Sequence, residues 1–322
     1  AGYNPVGNGV VTITAVPKTK GTFNEVEPVS VNSNATLSQS IDVHTGTRTI
    51  KLTNITGNVT VTFYGTYCYD LITEFTVNAG ESVKMLYTYV SSTNKAKILR
   101  IREEDEDIPV ASTHTWAEGG KHILRYSFTN HAVPYDMFNG VTAITGIEIG
   151  DCVTSLESYA FKGTSIERVV IPETITSFGS SLFYDCVHLK HAVLPKGITE
   201  IYDSMFRGCE SLQSIDIPDG VTRFGDFAFD GCASLASIIL PAGVTYVGNY
   251  CFSDCSNLRH IVAWPKITPN LGGNYRYNFA GVAKGGVLAV TAEAQTGSNY
   301  SYWVASNINL GAYGWTLVYM DE

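Results

Sequence analysis

The chain has 322 residues and a formal net charge of −9, with 30 Asp and Glu against 21 Lys and Arg. Charged residues make up only 16%, below the roughly 25% of ordinary soluble domains, and no basic stripe is present, which speaks against nucleic acid or an anionic membrane as partner. No apolar run reaches the ~18 residues that could span a bilayer, and 19 tyrosines among many threonines and glycines give the texture of an extracellular β-rich protein.

The first residues, AGYNPVGNG, form neither a charged leader nor an apolar core, so if the protein is exported its signal peptide is expected to lie outside this sequence. Residues 1 to about 102 read as alternating, β-branched segments: VVTITAV, TRTIKLT, NVTVTFYG, ITEFTV, ESVKMLYTYV and KAKILRIR, divided by turn formers in TNITGN, VNAGES and SSTNK. This resembles an immunoglobulin-like β-sandwich, assigned to residues 1–107, although Cys68 is its one cysteine. Glu103, Glu104, Asp105, Glu106 and Asp107, then Pro109, mark the expected domain junction, with the carboxylates solvated rather than holding calcium. Residues 108–137 contain the strand-like HILRYSF and are expected to cap the first open end of a repeat array that begins at Phe138.

From Phe138 to Val290 one phrase recurs. Pro172, Pro195, Pro218 and Pro241 are 23 residues apart, as are Phe183, Phe206, Phe229 and Phe252, and Cys186, Cys209, Cys232 and Cys255. A fixed period of this size means stacked units that cannot bury their apolar faces alone. In each unit the frame L-x-x-I-x-I/L-P (Leu212, Ile215, Ile217, Pro218) predicts one short strand, because its last apolar residues alternate and the proline cannot continue the ladder. A second apolar pair follows (Val221 with Phe224), then a glycine (Gly179, Gly225, Gly248) expected at a corner of positive φ, then a short turn carrying the recurrent Phe. Weaker copies around Phe138, Phe161 and Phe279 bring the array to about seven turns.

The proline-ended strand, the A-F pair and the G-C-x-x-L turn, recurring in register over 138–290, resemble the BspA-like subgroup of leucine-rich repeat proteins. The resemblance implies a leucine-rich repeat solenoid over 108–322. It also implies a place on the surface of, or secreted by, bacteria of mouth and gut, in soluble or lipoprotein form, and adhesion to host matrix or other cell-surface proteins. The fold class expected is therefore mainly β: an N-terminal sandwich and a solenoid capped at both ends.

Seven cysteines cannot all pair within the chain. The four at one repeat position are expected to form an inward ladder of free thiols, since Val141 and Val282 stand at the equivalent place and fill the same space. Cys251 with Cys255 is the one close-set pair, too little for a metal site. After Val290 the pattern stops, and Tyr300, Tyr302, Trp303, Tyr313, Trp315 and Tyr319 are read as a C-terminal cap over 291–322 closed by the strand GWTLVYM, with an aromatic sugar platform as the alternative.

Seven scattered histidines, with no H-E-x-x-H, G-x-S-x-G, P-loop or strand-linked G-x-G-x-x-G, predict no enzyme and no cofactor. Binding candidates come instead from what the repeat leaves outward. On the strands these are Lys190, His191, Gln213, Arg259 and His260, beside a column of mostly apolar residues (Val170, Val193, Asp216, Ile239, Val262). In the insertion WPKITPNLGGNYRYN they are Trp264, Tyr275, Arg276 and Tyr277, residue types that dominate hot spots. These candidates support two functions: a monomeric adhesin binding a protein through the strand face, or a surface protein capturing glycan through exposed aromatics.

Overall fold

The computed structural model describes residues 70–104, 106–273, 277–295, 300–304 and 309–320, and five strands before them. The chain forms two compact units, Ala1–Cys68 and Tyr69–Glu322. In the first, Val11–Ala15, Arg48–Thr53 and Thr36–Ile41 lie in that order in an antiparallel sheet, and Ser30–Val31 pairs with Val61–Thr62. The remainder of the expected immunoglobulin-like sandwich over 1–68 falls outside the described residues.

The boundary expected at residue 107 moves to 68. Strands Leu71–Val77, Ile98–Glu103 and Glu106–Asp107 join Gly120–Phe128 and Ile144–Ile149 in one five-stranded antiparallel sheet. The reason is burial. Leu71, Phe75 and Val77 face inward on alternate positions, and with Trp116, Tyr126 and Phe128 they cover the open end of the first solenoid turn, where Tyr126 meets Phe138 edge-on at 5.3 Å. The N-terminal cap thus begins at residue 70, not 108. The acidic run is not a linker either: it closes a hairpin in which Glu103 pairs with Glu106 and Arg102 with Asp107. Glu103 also accepts from Trp116 Nε1 at 2.8 Å and contacts His122 Nδ1 at 2.6 Å.

The repeats build a solenoid. Front strands stack in parallel at intervals of one repeat: Arg168–Val170 on His191–Val193 on Ser214–Ile215, then Ser237–Leu240 on His260–Ala263 on Val287–Thr291 on Thr316–Met320. Each turn also holds a second, two-residue strand that periodicity alone does not reveal. Ala132–Val133, Ser155–Leu156 and Ser177–Phe178 make one back sheet; Glu200–Ile201, Arg223–Phe224, Tyr246–Val247 and Asn270–Leu271 make another. The second apolar pair of the repeat turns inward here, with its second member, such as Phe224 or Val247, on the back strand.

Between the two sides run two interior columns. Phe138, Phe161, Phe183, Phe206, Phe229, Phe252 and Phe279 stack with centroids 5.6 to 5.8 Å apart. Beside them Cys186, Cys209, Cys232 and Cys255 are buried free thiols, as expected. Each thiol donates to the carbonyl of a phenylalanine in the turn before, at 3.1 to 3.2 Å. Trp303 ends the phenylalanine column, 5.4 Å from Phe279, and Tyr300 and Trp315 are buried with it, so these rings close the core and are not a sugar platform.

The corner glycines have a different cause from the one expected. Gly179, Gly225 and Gly248 do not adopt positive φ. Each donates its N–H to the preceding turn at 2.7 to 2.8 Å, and a Cβ on Gly248 would lie 2.4 Å from the carbonyl carbon of Gly225. Close approach of backbones, not handedness, selects glycine here.

Candidate functional site

The front strands place the outward candidates in columns that repeat about every 4.8 Å, the spacing of neighbouring strands. Lys190 lies between Glu167 and Gln213 in one column, held to Glu167 by an ion pair of 2.9 Å. That pair keeps the Glu167 carboxyl below its ordinary pKa. Arg259, in the same column, reaches the carbonyl of Lys284 at 3.4 Å. His191 and His260 stand exposed in the next column, registered against Ser214 and Ser237. The third column carries exposed Val170, Val193, Ile239 and Val318, half-buried Val262, and Asp216.

Trp264 owes its exposure to a count of residues. Pro241 to Pro265 is 24 residues, one more than the period. Leu240 is registered against Ala263, which takes the buried place, so the next residue is turned out: Trp264 is 46% exposed and donates its N–H to Leu240 O at 3.0 Å. Tyr277, at the far end of the insertion, is also exposed. Tyr275 and Arg276 lie outside the described residues.

Where the strands stop at their prolines and the chain turns away, a groove crosses the front face. It consists of two open clefts of about 400 and 570 Å³ that meet at Asp216, Ile217 and Asp219. The first extends back to Val193 and Lys196, the second forward to Ile239, Trp264 and Lys266. Shallow, open clefts of this kind suit a polypeptide surface better than a small molecule, which prefers an enclosed pocket.

A second surface feature has no counterpart in the sequence motifs. On the side formed by the short turns, successive layers contribute planar or cationic groups to a continuous stack. Lys162 Nζ sits 5.7 Å from the Tyr159 ring and 4.6 Å from Tyr184; Arg207 sits 5.3 Å from Tyr184 and 4.8 Å from Phe227. Phe227, Tyr250 and Tyr277 continue it at 4.9 and 5.2 Å with planes within 4°. Tyr159, Phe227 and Tyr250 all have left-handed φ, a cost of about 1–2 kcal/mol each that the stacking offsets. Within the stack the ring faces are turned toward one another, while Tyr277, at its end, is 49% exposed.

Burial pushes the Cys186 thiol up to about 11 and raises Cys209, Cys232, Cys251 and Cys255 as well, so none is an activated nucleophile. Among the described residues, Asp70, His131 and Cys152 alone bring three metal-ligating atoms within reach of one another. Cys152 is disulfide-bonded, and Asp70 already accepts from the Phe128 N–H and contacts His131 Nδ1 at 2.7 Å. No helix among the described residues is long and apolar enough to cross a membrane.

Residues 131–259 match the model of the BspA type leucine rich repeat region in six copies. Similar solved structures include a leucine-rich repeat protein from Bacteroides ovatus, 23% identical with a TM-score of 0.40, covering 53% of this chain and 47% of that one. Another is the T. pallidum leucine rich repeat protein, 25% identical, TM-score 0.32, covering 39% and 70%. A third is a leucine rich cell surface protein from Faecalibacterium prausnitzii, 21% identical, TM-score 0.29, covering 56% and 60%. The chain thus spans about half the length of the first of these, and no curated protein matches it. Six registered copies with one stacked phenylalanine per layer make residues 131–259 a BspA type leucine rich repeat region, a kind of repeat that suggests a protein-interaction scaffold.

Proposed function

We propose that this protein is a non-catalytic adhesin, exposed at the cell surface or secreted, that binds a host matrix or other cell-surface protein through the front strands of its solenoid. The observation that carries the reading is the third front column, where Val170 and Val193 on neighbouring turns, and Ile239 two turns further on, stay exposed beside Lys190, His191, Arg259 and His260. Such an apolar stripe with a polar rim is the make-up of a protein interface. The disulfide at Cys152 agrees with an oxidising, extracellular compartment.

The test is a matrix-protein binding screen on the full chain, repeated with Lys190, His191, Arg259 and His260 changed together to alanine. Binding weakened by about tenfold or more supports the reading, and binding indifferent to the four changes refutes it. Exposed Trp264 and Tyr277 favour a second reading, capture of a polysaccharide, which a glycan array with Trp264→Ala as control separates from the first.

A further inference from the structure

The groove at the ends of the front strands has a chemistry of its own. Asp216 stands on its strand-side wall and Asp219 on its turn-side wall, both exposed on the same turn, and neither carboxylate has an ion-pair or side-chain hydrogen-bond partner among the described residues. One turn further on, the same two walls are apolar, formed by Ile239, 51% exposed, and Ala242. One turn beyond that is Trp264, turned out by the extra residue. Along the groove the order is therefore two carboxylates on one turn, an apolar level, then an exposed indole.

The occupant follows from spacing. Successive turns advance about 4.8 Å, whereas side chains on one face of an extended peptide repeat about every 6.7 Å, two residues of 3.3–3.4 Å each. A cationic side chain lodged between Asp216 and Asp219 places the side chain two residues later about 1.4 turns away, between the Ile239 level and Trp264. We infer that this groove takes an extended segment of a protein partner carrying Lys or Arg at one position and a large apolar residue two positions on. Lys196 and Lys266 stand on the turn-side wall one turn before and two turns after the carboxylates, so acidic residues fit only toward the ends of such a segment. The proposal rests on the strand-face reading above and specifies which chemistry the C-terminal half of that face selects.

The experiment uses the full chain and fluorescent synthetic hexapeptides in three forms: Arg-x-Leu, Glu-x-Leu and Arg-x-x-Leu, where x is Ser. Anisotropy titrations are expected to show Arg-x-Leu binding at least about tenfold tighter than Glu-x-Leu, since replacing an attractive charge by a repulsive one at a half-open site exceeds the ~1.4 kcal/mol of a tenfold change. The out-of-register Arg-x-x-Leu peptide is expected to bind more weakly than Arg-x-Leu. Asp216→Asn with Asp219→Asn removes the Arg-over-Glu preference, and Trp264→Ala weakens Arg-x-Leu; all three positions are exposed, and circular dichroism confirms the folded state. Equal binding of Arg and Glu peptides, a preference that survives the double variant, or no saturable binding overturns the inference. Should that happen while matrix-protein binding still depends on Lys190, His191, Arg259 and His260, the groove is wrong and the strand-face function stands. Absence of matrix-protein binding alongside selective peptide binding is the reverse case.

Discussion

Gly248→Ala tests how tightly the turns are pressed together. A methyl group there would lie 2.4 Å from Gly225 C and 2.5 Å from both Gly225 O and Asp226 N, all of them backbone atoms that no rotamer change can move. Reaching ordinary contact requires the two turns to part locally by about 1 Å. That separation breaks the 2.8 Å bond from Gly248 N to Phe224 O and strains the pair of bonds by which Asn249 N and Nδ2 reach the Asp226 carboxylate at 2.9 and 3.0 Å. Overpacking costs about 1–3 kcal/mol and the lost hydrogen bond about 1 kcal/mol, so a loss of about 2–4 kcal/mol is expected. The native chain contains its own precedent. Tyr202 occupies the equivalent position, no backbone bond from its N–H to the turn before it is found among the described residues, and the back sheet is interrupted there, between Phe178 and Glu200. Urea unfolding followed by circular dichroism reads the effect, with Gly197→Ala as control: nothing lies within 4 Å of that Cβ and its φ is not left-handed, so it should be neutral or stabilising by up to about 1 kcal/mol. A Gly248→Ala loss below about 1 kcal/mol, or an equal loss in both variants, refutes close approach as the reason for glycine.

The five buried thiols should not react with a thiol reagent in the folded protein and should react fully in denaturant without reductant. Because burial raises their pKa values above those of the unfolded chain, the unfolded state holds fewer protons above pH ~9, and stability falls with rising pH by up to about 1.4 kcal/mol per thiol per unit. Comparing urea midpoints at pH 8 and 10 checks this, and Cys209→Val, which copies the side chain the protein already uses at Val141 and Val282, should flatten the alkaline loss; an unchanged slope contradicts it. Arg207→Ala removes two ring contacts and leaves Asp230, 2.9 Å away, without its cation, for an expected loss of about 1–2 kcal/mol, whereas Arg207→Tyr keeps the stack and most of the stability. Equal losses in the two variants would show that the stack does not matter.

Periodicity made the interior legible: the phenylalanine and cysteine columns and the proline-ended strands follow from residues that recur every 23 positions. What it could not convey was which distant segments share a sheet. Alternation in ITEFTV says strand, but only the finished fold pairs it with Gly120–Phe128 and Ile144–Ile149, and so moves the boundary from 107 to 68. The side stack was hidden because it changes repeat position from layer to layer: Tyr184 and Arg207 fill the layers in which the left-handed corner residue is Ser181 or Ser204. The exposure of Trp264 was readable from the 24-residue interval, a signal that lies in one extra residue rather than in any motif.

From Arg168–Val170 onward, the front ladder and the back ladder of the solenoid are each interrupted once, and not at the same place. The back ladder stops between Ser177–Phe178 and Glu200–Ile201; the front ladder stops between Ser214–Ile215 and Ser237–Leu240. Like offset joints in masonry, the gaps leave no level at which both sheets part together, and the stacked phenylalanines cross each of them unbroken. Shear that peels one sheet at its gap therefore meets the other still hydrogen-bonded, so the load is passed sideways instead of splitting the coil.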